Sequence, residues 1–197
     1  MAIILQSLGK TVAAGFLLLV LILLAVAPSY GVAVSFEHFW FALLFRWLHV
    51  LCGVMWIGLL WYFNFVQIPS MPKIPDEQKP AVGKVIAPTA LFWFRHAALW
   101  TVITGLLVAS MNGYLLQALT LQVGSHSIGI GMWLALVMAF NVWFIIWPNQ
   151  KKALGIVSVA ADVKAKAARL AMLTSRFNTM LSVPMLYCMV AQQNGGL

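Results

Sequence analysis

Residues 39–66 read Phe39-Trp-Phe-Ala-Leu-Leu-Phe-Arg-Trp-Leu-His-Val-Leu-Cys-Gly-Val-Met-Trp-Ile-Gly-Leu-Leu-Trp-Tyr-Phe-Asn-Phe-Val66. Arg46 is the only formal charge in this run, and none follows until Lys73. As a helix the run rises about 42 Å at ~1.5 Å per residue. That exceeds a hydrocarbon layer of about 30 Å, so the helix is tilted or projects beyond it. Trp40, Trp47, Trp61 and Tyr62 supply aromatic rings for the interfaces.

The rest of the chain follows the same pattern. Of its 197 residues, 63% are apolar and 8% charged, with 12 Lys+Arg against 4 Asp+Glu. A soluble domain carries roughly 25% charge. Residues 11–36, 47–72, 96–150 and 177–197 hold no formal charge. These numbers exclude a soluble enzyme, a nucleic-acid-binding domain and a disordered tail. The net charge of +8 sits between the apolar stretches. The sequence therefore predicts an all-α, polytopic integral membrane bundle: one domain over 1–197, with spans at about 11–27, 39–66, 89–111, 128–147 and 177–192. Pro28 with Ser29-Tyr30-Gly31 is expected to end the first span, and Pro148-Asn149-Gln150 the fourth. Ala25-Val-Ala27 looks like a signal cleavage site, but Pro28 after it argues for a retained helix.

Residues 67–88, with five prolines, read as a loop, and 148–176 as a basic cytoplasmic loop whose Ala153–Leu173 part forms a surface helix. Pro184 is expected to kink the last span. Lys10, three lysines in 67–88 and six basic residues in 151–176 fall on one side of such a bundle. By the positive-inside rule the amino terminus is cytoplasmic and the carboxy terminus periplasmic, in a bacterial inner membrane. Cys52 and Cys188 fall inside spans and read as buried thiols. No Cys-x-x-Cys-His attaches a haem covalently.

Polar groups at membrane depth are the places to look for function. Arg46, His49, Gly53 and Trp56 share one helix face. That face suits a b-type haem: His49 as axial ligand, Gly53 as room for the porphyrin edge, Arg46 for a propionate, and Trp56 beside the ring. The plainer alternative is that His49 bonds a neighbouring helix and Gly53 permits close packing. Arg95 and His96 form the second candidate pair, with His96 as a possible second axial ligand. Their alternative is an interfacial pair reaching to headgroups. Glu37, His38 and His126 make a weak metal signal without ligand spacing. Asn141, Asn178, Thr179 and Ser182 read as interhelical glue or as a polar pocket lining. Met185 and Met189 are soft side chains of minor promise as ligands.

Four stretches carry a resemblance. Arg46-Trp-Leu-His-Val-Leu-Cys-Gly-Val-Met-Trp-Ile-Gly58 with Tyr62-Phe-Asn64, then Trp93-Phe-Arg-His-Ala-Ala-Leu-Trp-Thr101 with Thr104-Gly105, Asn141-Val-Trp-Phe-Ile-Ile-Trp-Pro-Asn-Gln150, and Ser175-Arg-Phe-Asn-Thr-Met-Leu-Ser-Val-Pro-Met185 resemble, in order, signatures of the urate oxidase amino-terminal membrane domain family. Its namesake is a cytochrome-linked urate hydroxylase whose membrane domain precedes a c-type cytochrome; these 197 residues hold no such domain. His49-x6-Trp56-x-Gly58 is also similar to small membrane proteins that bind haem b. The resemblance implies haem b on His49 and electron transfer to or from a cytochrome c or a respiratory complex. It does not extend to urate oxidation itself. The rival expectation is a non-catalytic accessory subunit of a larger membrane complex, with homo-oligomerisation open. A small transporter has little support, since intramembrane charges are few and no inverted repeat is visible.

Overall fold

The computed structural model describes residues 2–27 and 37–195. Among them every regular element is helical. The chain divides into two compact units, residues 1–41 and 42–197.

In the first unit, α1 (Leu8–Val26) buries none of its residues. A helix of Leu, Val, Ile and Ala with no buried residue suits surroundings of lipid. The turn expected at Pro28 to Gly31 lies outside the described residues.

Three further helical runs are, with α1, long and apolar enough to cross a membrane: α2 (His38–Lys73), α3 (Lys79–Met111) and α5 (His126–Ala153). A short α4 (Leu115–Leu119) links α3 to α5. The last helix, α6 (Ala161–Asn194), is 34 residues long and falls outside that set of four.

Two boundaries differ from the sequence reading for one physical reason. Much of the proline-rich stretch 67–88 is helical, and α5 runs through Pro148 rather than stopping there. Proline lacks the N–H that an α-helix needs and its ring crowds the preceding turn. Three times the helix passes this point by widening into a π turn: Tyr62–Gln67 before Pro69, Val82–Ile86 before Pro88, and Asn141–Ile146 before Pro148. The last amide before each proline reaches five residues back, Ile68 to Phe63, Ala87 to Val82 and Trp147 to Val142. In hydrocarbon every backbone group must find an internal partner, and the π turn supplies one.

A third boundary also moves. The expected surface helix and last span are one element, and α6 continues through Pro184 without a break. It lies antiparallel to α5, with Gln192 at Gly124, Ser127 at Cys188, and Asn178 at Met138 and Asn141. Its buried residues Ala167, Ala171, Ser175, Asn178, Ser182, Met185, Cys188 and Ala191 recur every three or four positions. That spacing is the single stripe of a helix packed along a partner. Gly129 lets α5 seat against α4, where a Cβ would overlap the Ala118 carbonyl.

In the second unit, α2, α3, α5 and α6 form a ring. Phe63 and Phe94 join α2 to α3 at 5.7 Å, and His96 and Trp143 join α3 to α5 at 5.8 Å. Asn141 donates to Asn178 across α5 and α6, and Trp61 to Ser182 across α2 and α6. At one end of the ring Leu60, Phe63, Phe94, Met138, Val142 and Ile146 fill the centre.

Candidate functional site

At the other end the centre is hollow. A cavity of about 650 Å³ extends from Arg46 to Trp61 along α2 and is walled by α3, α5 and α6. Its size is that of a site for a cofactor or other small molecule.

The face predicted to carry function lines this cavity: Arg46, His49, Gly53 and Trp56 are all on its wall. His49 Nδ1 lies 2.8 Å from the Thr101 carbonyl oxygen. A carbonyl only accepts, so Nδ1 carries the proton. Thr104 Oγ1, which donates to the Trp100 carbonyl, lies 3.4 Å from the same nitrogen. Nε2 is left with its lone pair, the state an imidazole needs to bind a metal.

Gly105 on α3 makes that arrangement possible, since a Cβ there would stand 2.8 Å from the His49 Cε1. At Gly53, by contrast, a Cβ would meet Thr101 at an ordinary 3.9 Å, and at Gly58 nothing within reach. Helix packing therefore requires glycine at Gly105 and not at Gly53 or Gly58. The latter two keep the cavity side of α2 clear.

Trp56 is 0% exposed, and its indole N–H has no hydrogen-bond partner. A buried unpaired donor costs roughly 1–3 kcal/mol.

The mouth is polar. Arg46 donates to the Asn112 side chain at 3.5 Å, a long bond. Tyr114, turned inward after Gly113 (φ +74°), lines the mouth with Gln193 and Asn194. Burial pushes the Tyr114 phenol above its ordinary pKa, and the nearby Arg46 charge partly offsets this. The sequence reading missed Tyr114; only the left-handed glycine before it hinted at a turn.

The second candidate pair lies elsewhere. His96 and Arg95 are not on the cavity wall. His96 Nδ1 donates to its own helix at the Phe92 carbonyl, 2.7 Å away, and its ring packs on Phe92 and Trp143. The Arg95 guanidinium lies 3.9 Å over the Trp147 ring. Its Nη1 is buried without a partner. Nor is His126 on the wall. Among the described residues no three His, Cys, Asp or Glu side chains cluster as a metal site, so the Glu37, His38 and His126 signal is not met. Asn141, Asn178 and Ser182 tie helices together. Both cysteines are free thiols, Cys188 buried and Cys52 half-buried.

Residues 124–195 match the urate oxidase N-terminal family. The matched stretch spans α5 and most of α6, and holds the third and fourth signatures. The family resemblance read from those signatures is thus met over this part of the chain. The α2 and α3 faces that carry His49, Thr101 and Gly105 lie outside it. No curated protein and no solved structure matches the chain.

Proposed function

We propose that this cavity holds a b-type haem with His49 Nε2 as an axial ligand, and that the protein is an integral membrane redox protein. The carrying observation is the His49 ring itself. Its Nδ1 proton is fixed on the Thr101 carbonyl, and its other nitrogen belongs to a side chain on the wall of a cofactor-sized space. Carbonyl-bound imidazoles of this kind are how proteins orient metal ligands.

The remaining wall fits the same group. Apolar side chains suit the macrocycle, Gly53 and Gly58 leave its edge unobstructed, and Arg46 and Tyr114 at the mouth suit propionates. When bound, the haem supplies one-electron chemistry, with its potential set by axial ligand and burial. The chain's own part is to hold the ring, fix the tautomer and exclude water. Electrons pass to or from a cytochrome c or a larger respiratory assembly.

In this reading the upper half of α6 is a fifth crossing. It pairs antiparallel with α5 over Gly124 to Asn141, and α5 is long and apolar enough to cross. The amino terminus and the basic α5–α6 connection are then cytoplasmic, and the carboxy terminus is periplasmic. Reporter fusions at the two termini should report opposite sides of a bacterial inner membrane; the same side for both would refute the fifth crossing.

The haem proposal is tested by absorption spectra of variants purified in mild detergent. His49→Ala is expected to lose the Soret band while keeping its helical circular dichroism. His96→Ala should keep the wild-type spectrum, because His96 is off the cavity wall. A full Soret band in His49→Ala refutes the assignment. A colourless wild-type protein that co-purifies with oxidase or oxygenase subunits would favour the accessory-subunit reading.

A further inference from the structure

The side wall of the cavity is incomplete. Val50, Val54 and Gly58 follow one another at one-turn spacing on α2, and all three line the cavity and are exposed. Leu186, Val190 and Asn194 do the same on α6. Val54 is 68% exposed and Val190 is 62% exposed, although both belong to the cavity wall. Exposure that high on wall residues marks an open side of the cavity.

The two strips therefore border a slot between α2 and α6. Its lower end is closed where Trp61 donates to Ser182 at 2.9 Å and Asn64 donates to Ser175 at 2.8 Å. From Val50 to Gly58 the slot runs about 12 Å at ~1.5 Å per residue. Gly58 stands at its narrow part with nothing near its missing Cβ. Apart from Asn194 at the mouth, the strips present only aliphatic groups and glycine, and both helices lie at membrane depth in the reading above. A gap in hydrocarbon with an aliphatic rim meets acyl chains and not water.

We infer that the cavity exchanges its occupant directly with the bilayer through this slot, so that its ligand is a lipid-soluble molecule taken up sideways. As an opening to lipid the slot stands on the geometry of residues 42–197. As the route by which haem enters, it rests on the function proposed above. Gly58 would set the width of the slot.

The test uses the full chain in nanodiscs, freed of any pigment, with a phosphatidylcholine carrying a diazirine midway along one acyl chain. After photolysis and digestion, mass spectrometry locates the adducts. Adducts are expected on Val54 and Val190, and also on Met132 and Met185, which line the cavity and are 8% and 4% exposed. Gly58→Leu should cut the Met132 and Met185 adducts at least fivefold and leave those on Val190 unchanged. Adducts confined to strongly exposed side chains, with none on Met132 or Met185, would overturn the slot. So would wild-type labelling in Gly58→Leu. Added haemin separates the two proposals. If it protects Met132 and Met185, both stand. If labelling persists at full strength, the slot stands and haem binding does not.

Discussion

The two ends of the four-helix ring draw on similar residues and solve opposite problems. At the Gln67 end, Phe63, Phe94, Leu60 and Ile146 meet in the middle. Their helices are cross-tied by Asn64 with Ser175, and Asn141 with Asn178. At the Arg46 end the same four helices part around about 650 Å³, and the polar groups are spent on orienting one imidazole. Aromatic volume decides the first case. Missing side chains at Gly53 and Gly58, together with a helix α6 that stands away from α2, decide the second. A membrane bundle has no hydrophobic drive to close such a gap, because lipid is as apolar as leucine. Hollowing one end of the ring is therefore inexpensive when lipid or a cofactor fills it.

The comparison can be broken most severely by emptying the filled end. Phe94→Ala should cost roughly 3–5 kcal/mol, read by reversible unfolding in mixed micelles. Val190→Ala on the hollow end should stay within about 0.5 kcal/mol. Equal losses at the two sites would contradict the contrast.

Gly105→Ala comes next, because its Cβ would press on the His49 ring from 2.8 Å. Overpacking of this kind costs about 1–3 kcal/mol. The Thr101 bond should also be lost, visible as a changed imidazole nitrogen shift in ¹⁵N spectra. Gly53→Ala sharpens the point: its methyl meets only ordinary contact. Stability should hold or rise by a few tenths of a kcal/mol, while any bound pigment shifts.

Asn178→Leu should cost about 1–2 kcal/mol. It removes the acceptor for Asn141 and the donor to the Met138 carbonyl. Because the tie lies in the filled end, the pigment spectrum should be unaffected.

The smallest effect is in pH. Burial raises the folded-state pKa of Tyr114, so on going alkaline the unfolded state ionises first. The contribution is intact below about pH 10, the ordinary tyrosine value. It is lost as the pH rises from there through the folded value. Tyr114→Phe should flatten the stability profile in that window and leave it unchanged at neutral pH.

Much of this molecule was legible in its sequence. The apolar runs gave α1, α2, α3 and α5 to within a few residues at most ends. The one-face spacing of Arg46, His49, Gly53 and Trp56 identified a real cavity wall. Proline misled, because the rule that it ends a helix holds in water, whereas Pro69, Pro88 and Pro148 are each carried by a π turn. The depths of His49 and His96 along their spans argue against pairing them, and His96 is off the cavity wall. Tyr114, Gly105 as the seat of the imidazole, and the slot beside Gly58 all depend on how helices far apart in sequence meet. No periodicity reports that.

The most direct measurement is a pyridine haemochrome assay of the wild-type protein purified in mild detergent from cells supplied with haem precursor. The account predicts acid-extractable haem b at close to one per chain, present with Gly53→Ala and absent with Gly105→Leu. A monodisperse wild-type protein that carries no extractable haem and binds none when haemin is added would contradict it.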